Sequence, residues 1–270
     1  MQRLFLTLAA PIFCFLIVPA ELQAQARSYV ARGVELEKRG ELDQALANYN
    51  RALEVADPND AENISLAYYN RGVVWGKKDE IDKAIADYSQ ALANDPRYVE
   101  AYNNRGMLWQ EREEYDKAVA DLTQGLTLSP NDDLGYFYRA MVWKLKGEYG
   151  KAIADYHQAL AIDPKYVSAY NNVARLYAAC PDAKYRDGAK AFEYANQAYQ
   201  IDGGKSWQCV STLAAAYAEC EDFAKAVEWQ TKVVEMLAGS DSVDKENLAE
   251  ARSHLELYRQ GKPYREKSQK

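Results

Sequence analysis

The chain has 270 residues, with 33 Lys and Arg against 40 Asp and Glu, for a formal net charge of −7. Its acidity is spread along the length, without the basic stripe that a phosphate backbone or an anionic membrane surface requires, which disfavours nucleic-acid and membrane-surface partners. With 48% apolar and 27% charged residues, the composition is that of an ordinary soluble protein.

The N-terminal stretch differs from the rest. A positive start, Met1-Gln2-Arg3, precedes the apolar run Leu4–Val18; Pro19 breaks it, and Ala24-Gln25-Ala26 fits a small-x-small cleavage site. The pattern predicts a signal peptide over residues 1–26, cut after Ala26, and an exported chain, periplasmic or extracellular, with no stable membrane insertion after cleavage. Tethering by an uncleaved N-terminal segment is the alternative, although the run is short for a membrane span.

From there on one pattern recurs. Gly33, Gly72, Gly106, Ala140, Ala174 and Ala214 align, and Ala45, Ala84, Ala118, Ala152 and Ala226 follow twelve residues later; the fifth copy reaches Ala191 after five extra residues. Seven further on stand Ala52, Ala91, Gly125, Ala159, Ala198 and Val233, and Pro96, Pro130 and Pro164 close three copies. The core period is 34 residues, from Gly72 to Gly106 to Ala140 to Ala174. Aromatic residues recur at position 4 of each copy (Tyr29, Tyr68, Tyr102, Tyr136, Tyr170) and at position 11 (Trp75, Trp109, Trp143, Tyr177, Tyr217). Positions 4, 8 and 11 share one helix face, and so do 17, 20, 21, 24, 27 and 28 of a second helix. Small residues let the two backbones approach while rings fill the flanks. Proline ends the second helix. Each hairpin leaves an apolar face that the next must cover.

This pattern resembles the tetratricopeptide repeat (TPR), a 34-residue helix–turn–helix. The resemblance covers nearly the whole mature chain and predicts an all-α fold: an α-solenoid of six hairpins, at about 27–60, 61–98, 99–132, 133–166, 167–205 and 206–240. A capping helix is expected over 243–260 and a basic, flexible tail over 261–270.

Position 7 carries Arg32, Arg71, Arg105 and Arg139, while position 23 of the same copies carries Asn48, Asp87, Asp121 and Asp155. Both change together in the fifth copy, to Val173 and Tyr194, and in the sixth, to Leu213 and Trp229. This predicts a ladder in which each Arg crosses to the second helix of its own or an adjacent hairpin, setting register more than adding stability.

Chemistry is sparse. His157 and His254 lie far apart and neither neighbours a cysteine, so no metal site is predicted. Cys180, Cys209 and Cys220 are expected as buried, inert thiols. Equivalent points on stacked hairpins lie about 8–10 Å apart, beyond the roughly 7 Å reach of a relaxed disulfide, although one bridge from Cys180 to Cys220 or Cys209 stays open. No C-x-x-C is present. No reaction and no cofactor are implied.

The inner face of the first helices remains for binding. Positions 2, 5, 9 and 12 share a stripe, flanked by position 6, and mark Tyr69, Asn70, Val73, Asn103, Asn104, Met107, Phe137, Met141, Asn171 and Arg175 as the candidate peptide groove. Methionines adapt to irregular partners, and asparagines pair with an extended main chain. In the TPR family this concave face is the usual binding surface, so the resemblance implies a protein or extended-peptide partner. The family's cationic clamp for chaperone C-termini is absent, since Val30, Val34, Glu100 and Asn104 occupy its positions. The expected function is a non-catalytic scaffold, an adaptor or assembly factor of the cell envelope. Two alternatives stay open: a thiol-dependent enzyme or redox protein using the late cysteines, and a structural protein that self-associates.

Overall fold

A computed structural model describes residues 20–239 and 244–267, and the apolar run Leu4–Val18 lies outside them. The described residues form helices and no strand. The chain divides into two compact units, Met1–Pro96 and Arg97–Lys270.

The first unit holds α1 (Ala20–Lys38), α2 (Leu42–Val55), α3 (Ala61–Lys77) and α4 (Ile81–Asn94). Helix α1 runs through Ala24-Gln25-Ala26, and Ala26 is buried. Helices α1 and α2 pair as one hairpin, α3 and α4 as the next, and α3 also packs on α1 and α2. The small residues act at the crossings: a Cβ on Gly33 would stand 2.5 Å from the Tyr49 ring, and one on Gly72 would stand 2.9 Å from Tyr88. Both tyrosines are buried beneath those glycines.

The second unit stacks α5 (Val99–Glu111), α6 (Tyr115–Leu128), α7 (Asp133–Leu145), α8 (Tyr149–Ile162), α9 (Val167–Ala179), α10 (Gly188–Asp202), α11 (Trp207–Glu219), α12 (Phe223–Ala238) and α13 (Lys245–Arg259). Each packs on its successor, and the first helices α5 and α7, and α9 and α11, also touch directly; the largest cluster of buried residues runs from α7 to α11. Helix α13 covers the last hairpin through Ala251, Leu255 and Tyr258, all buried.

The turn inside a hairpin repeats one device. Asp79, Glu113 and Glu221 adopt positive φ of 60–62°, at the position that Gly40 and Gly147 fill elsewhere. The next residue's N–H reaches back to the carbonyl at position 11, as from Glu114 to Trp109 at 2.8 Å and from Glu148 to Trp143 at 2.9 Å. This double-bonded left-handed cap satisfies the orphan carbonyls of the first helix. The fifth hairpin inserts a 3₁₀ turn, Ala183–Tyr185, yet Asp187 N–H still finds the Tyr177 carbonyl at 2.9 Å. The insertion therefore rejoins the frame, with Tyr185 packed on Tyr149 and Arg186 beside Glu219.

Of the tail 261–270, expected to be flexible, residues 264–266 are packed against the helices, and 268–270 lie outside the described residues. Tyr264 packs against His254 with ring centroids 3.9 Å apart, the rings tilted by 38°, and Glu266 N–H donates to the Ala179 carbonyl at 2.9 Å. This stretch docks because the last carbonyls of α9 would otherwise lack donors.

Candidate functional site

Three guanidinium–carboxylate pairs tie first helix to second. Arg71 donates to both oxygens of Asp87 at 2.7 Å, and Arg105 does the same to Asp121 at 2.7 Å. Arg139 holds Asp155 at 2.7 and 2.8 Å. The remaining guanidinium nitrogen reaches the preceding hairpin: Arg71 to Asn50 at 2.7 Å, Arg139 to Thr123 at 3.2 Å. Hydrogen bonding to Asp87 and Asp155 holds the Arg71 and Arg139 guanidiniums above their ordinary pKa. Tyr68, Tyr102 and Tyr136 lie under these three guanidiniums at 5.2, 5.9 and 5.6 Å. In the first hairpin no such pair is made, because the Asn48 amide turns back onto the Gln44 carbonyl at 2.8 Å and Arg32 is exposed. Where the ladder stops, His157 occupies the position of Asn50 and Thr123 and stacks on Tyr194 at 5.4 Å and 18°. A ring stack thus replaces the ion pair at that joint.

The groove candidates divide by position. In the first unit, Val73 and Tyr69 are half-buried, Tyr69 leans on Tyr88 at 5.7 Å, and the Asn70 amide donates to the Leu66 carbonyl at 2.8 Å. Leu66 beside them is exposed. In the second unit, Asn104, Met107, Met141, Asn171 and Arg175 are half-buried on the inner face. Asn103 and Phe137 are buried and leave that face. Asn103 donates to Asp132 at 2.6 Å, and Phe137 meets the Tyr166 ring at 4.9 Å. Asp132 and Tyr166 stand at the N-cap positions of α7 and α9, so these two position-5 side chains are roofed by the start of the next hairpin, whereas Asn171, at the same position in the fifth hairpin, stays half-buried.

In the second unit a cavity of about 910 Å³ opens on this face, lined by Met141 and Lys144 of α7, Asn172 and Arg175 of α9, His254 of α13 and the segment Tyr264–Lys267. Glu266 is one of its lining residues. Lys144 Nζ lies 3.0 Å from its carboxylate and Arg175 Nη2 lies 2.7 Å away. Burial pushes the Lys144 ammonium below its usual pKa, while Glu266 pulls it back up. Arg265 pairs with Glu219 at 2.6 Å and donates to the Ala178 carbonyl at 3.0 Å. Tyr156 and Gln110 line the same cavity, with their hydroxyl and amide oxygen buried beneath its surface and without a hydrogen-bond partner. Lys144 stands at position 12 of the fourth copy, on the stripe that the sequence marks, but no sequence signal points to Glu266, whose partners lie 122 and 91 residues away.

Of the late cysteines, Cys180 and Cys209 are buried and Cys220, expected buried, is exposed; all three are free thiols. Cys220 closes α11, and its sulfur lies against the Gly188 backbone. Burial raises all three thiols above their ordinary pKa. Among the described residues no cluster of His, Cys, Asp and Glu could hold a metal ion.

Tetratricopeptide repeat profiles match residues 26–59, 65–98 and 99–132, and a TPR repeat profile matches 144–179. No curated protein matches the chain. Among solved structures, PilF of Pseudomonas aeruginosa is 22% identical with a TM-score of 0.69, covering 86% of this chain and 99% of its own. PilW, described as a widely conserved type IV pilus biogenesis factor, is 18% identical with a TM-score of 0.69, covering 84% and 98%. YrrB, described as a TPR protein with an unusual peptide-binding site, is 26% identical with a TM-score of 0.53, covering 66% and 87%. Repeat period, hairpin geometry and profile matches agree, and the chain belongs to the tetratricopeptide repeat family.

Proposed function

We propose that the protein is an exported, non-catalytic scaffold that binds a protein or extended peptide along the inner faces of its hairpins, as an adaptor or assembly factor of the cell envelope. One observation carries this reading: the inner face of α7 and α9 already holds a non-helical segment through both main chain and side chains. The family membership and the peptide-binding site named for YrrB support it, and the pilus role named for PilW is of the same kind. Export rests on the signal-like residues 1–26, and no helix among the described residues is long and apolar enough to cross a membrane.

The test is capture of an envelope partner by the immobilised protein. Met107→Glu with Met141→Glu, both half-buried on the inner face, abolishes capture with helicity unchanged. Unaltered capture by that variant places the site elsewhere. Export is checked by N-terminal sequencing of the protein recovered from its own cells, which is expected to begin at Arg27.

A further inference from the structure

The segment Tyr264–Glu266 is bound the way a peptide ligand would be. Its main chain is held at a helix end: the Glu266 N–H enters the last turn of α9 at the Ala179 carbonyl, 2.9 Å away. Carbonyls there lack intrahelical donors, and any extended chain could supply them. Its side chains are read one by one. An aromatic ring faces His254 at 3.9 Å, a guanidinium meets Glu219 at 2.6 Å, and a carboxylate lies between Lys144 and Arg175 at 3.0 and 2.7 Å. These recognition groups belong to α7, α9, α11 and α13, not to the segment itself.

Two features mark the segment as exchangeable. Its polar anchors are charge-assisted, and the largely buried Lys144 ammonium needs a carboxylate, whichever chain it comes from, with the more open Arg175 guanidinium beside it; the Tyr264 ring packs on the core, so a replacement must bring a ring as well. The cavity beside it also leaves room for more chain: about 910 Å³ opens next to the segment, between α7, α9 and α13.

We propose that this face is a receptor for an extended segment of another protein carrying aromatic, cationic and acidic side chains in succession, and that Tyr264-Arg265-Glu266 is the resident competitor that such a partner displaces. The inference rests on the reading of the inner face as a peptide groove and deepens it by naming the ligand chemistry. Tethering gives the resident segment an effective concentration on the order of millimolar, so a free peptide of equal intrinsic affinity binds the intact chain weakly.

The test uses a fluorescein-labelled peptide copying residues 261–270, titrated by anisotropy into the full chain and into its E266A and E266Q forms; E266Q keeps the main-chain bond and the side-chain shape. Both variants are expected to bind the peptide at least about tenfold more tightly than wild type. Adding K144E to either removes the gain, and a peptide with Gln for the acidic residue loses it as well. Equal peptide affinity in wild type and both variants, at matched helicity, overturns the proposal. A wild-type dimer that the peptide dissolves also overturns it, because the occupant would then be a second copy. Capture of an envelope partner that M107E/M141E abolishes but E266Q leaves unchanged overturns self-competition alone and leaves the scaffold reading standing.

Discussion

One guanidinium, that of Arg139, holds both oxygens of Asp155 and reaches a third acceptor, Thr123, so a single side chain ties together α6, α7 and α8. The Asp155 carboxylate is 9% exposed and the Arg139 side chain 19%, so both have lost most of their water. Removing one partner of such a pair strands the other, whereas removing both does not. Asp155→Ala is therefore expected to cost about 3 kcal/mol in urea unfolding, and Arg139→Met with Asp155→Leu less than half of that. Equal losses in the single and double variants would show that the pair is no more than a surface contact.

The turn residues Asp79 and Glu113 hold φ of 62° and 60°, where a Cβ is strained and glycine is not. Glu113→Gly should raise stability by about 0.5–1 kcal/mol despite the added freedom of the unfolded chain. Gly147→Ala, at the same position one hairpin on with φ of 75°, should lower it by about 1 kcal/mol. Thermal melts of the two variants should move in opposite directions.

His157 and His254 are both held below the imidazole's ordinary value, mainly by burial. Lys190 adds to this at His157; at His254, Arg175 adds to it and Glu250 opposes it. His157 lies among the Tyr177 and Tyr194 rings, and His254 against Tyr264. With folded values depressed, the unfolded chain takes up protons first as pH drops below about 6.5, so folding stability falls with acidification through that window. The melting temperature should decline from neutral pH into the mildly acidic range, before carboxylates titrate. H157N with H254N should flatten the decline.

All three thiols are shifted towards the unreactive form, and two of them are buried. Under native conditions a thiol-specific disulfide reagent should label Cys220 alone, and slowly, with Cys180 and Cys209 reacting only in denaturant. Rapid labelling of more than one cysteine in the folded chain would revive a thiol-based activity.

The hairpin fold was readable because its constraints are local and repeated: a small residue facing a ring, as with Gly33 and Tyr49, must recur wherever two helices cross so closely. Departures from the repeat were harder. Asn103 and Phe137 follow the spacing of an open stripe, yet the start of the next hairpin covers them, which the period of a single helix cannot show. Cys220 sits at the same repeat position as Cys180 but lacks the inserted turn whose Arg186 reaches back to the Cys180 carbonyl at 2.8 Å. Glu266 depends on partners about a hundred residues away and on no period at all.

The arginine joints also bear on how such a gene can change length. Asn50 on α2 and Thr123 on α6 offer a neighbouring guanidinium equivalent acceptors, so a recombination that copied thirty-four codons at either joint would create a new seam already matched on both sides. The same event after α8 would set the His157 ring where an arginine expects an oxygen. The protein is thus open to growth along its ladder and closed to it beyond.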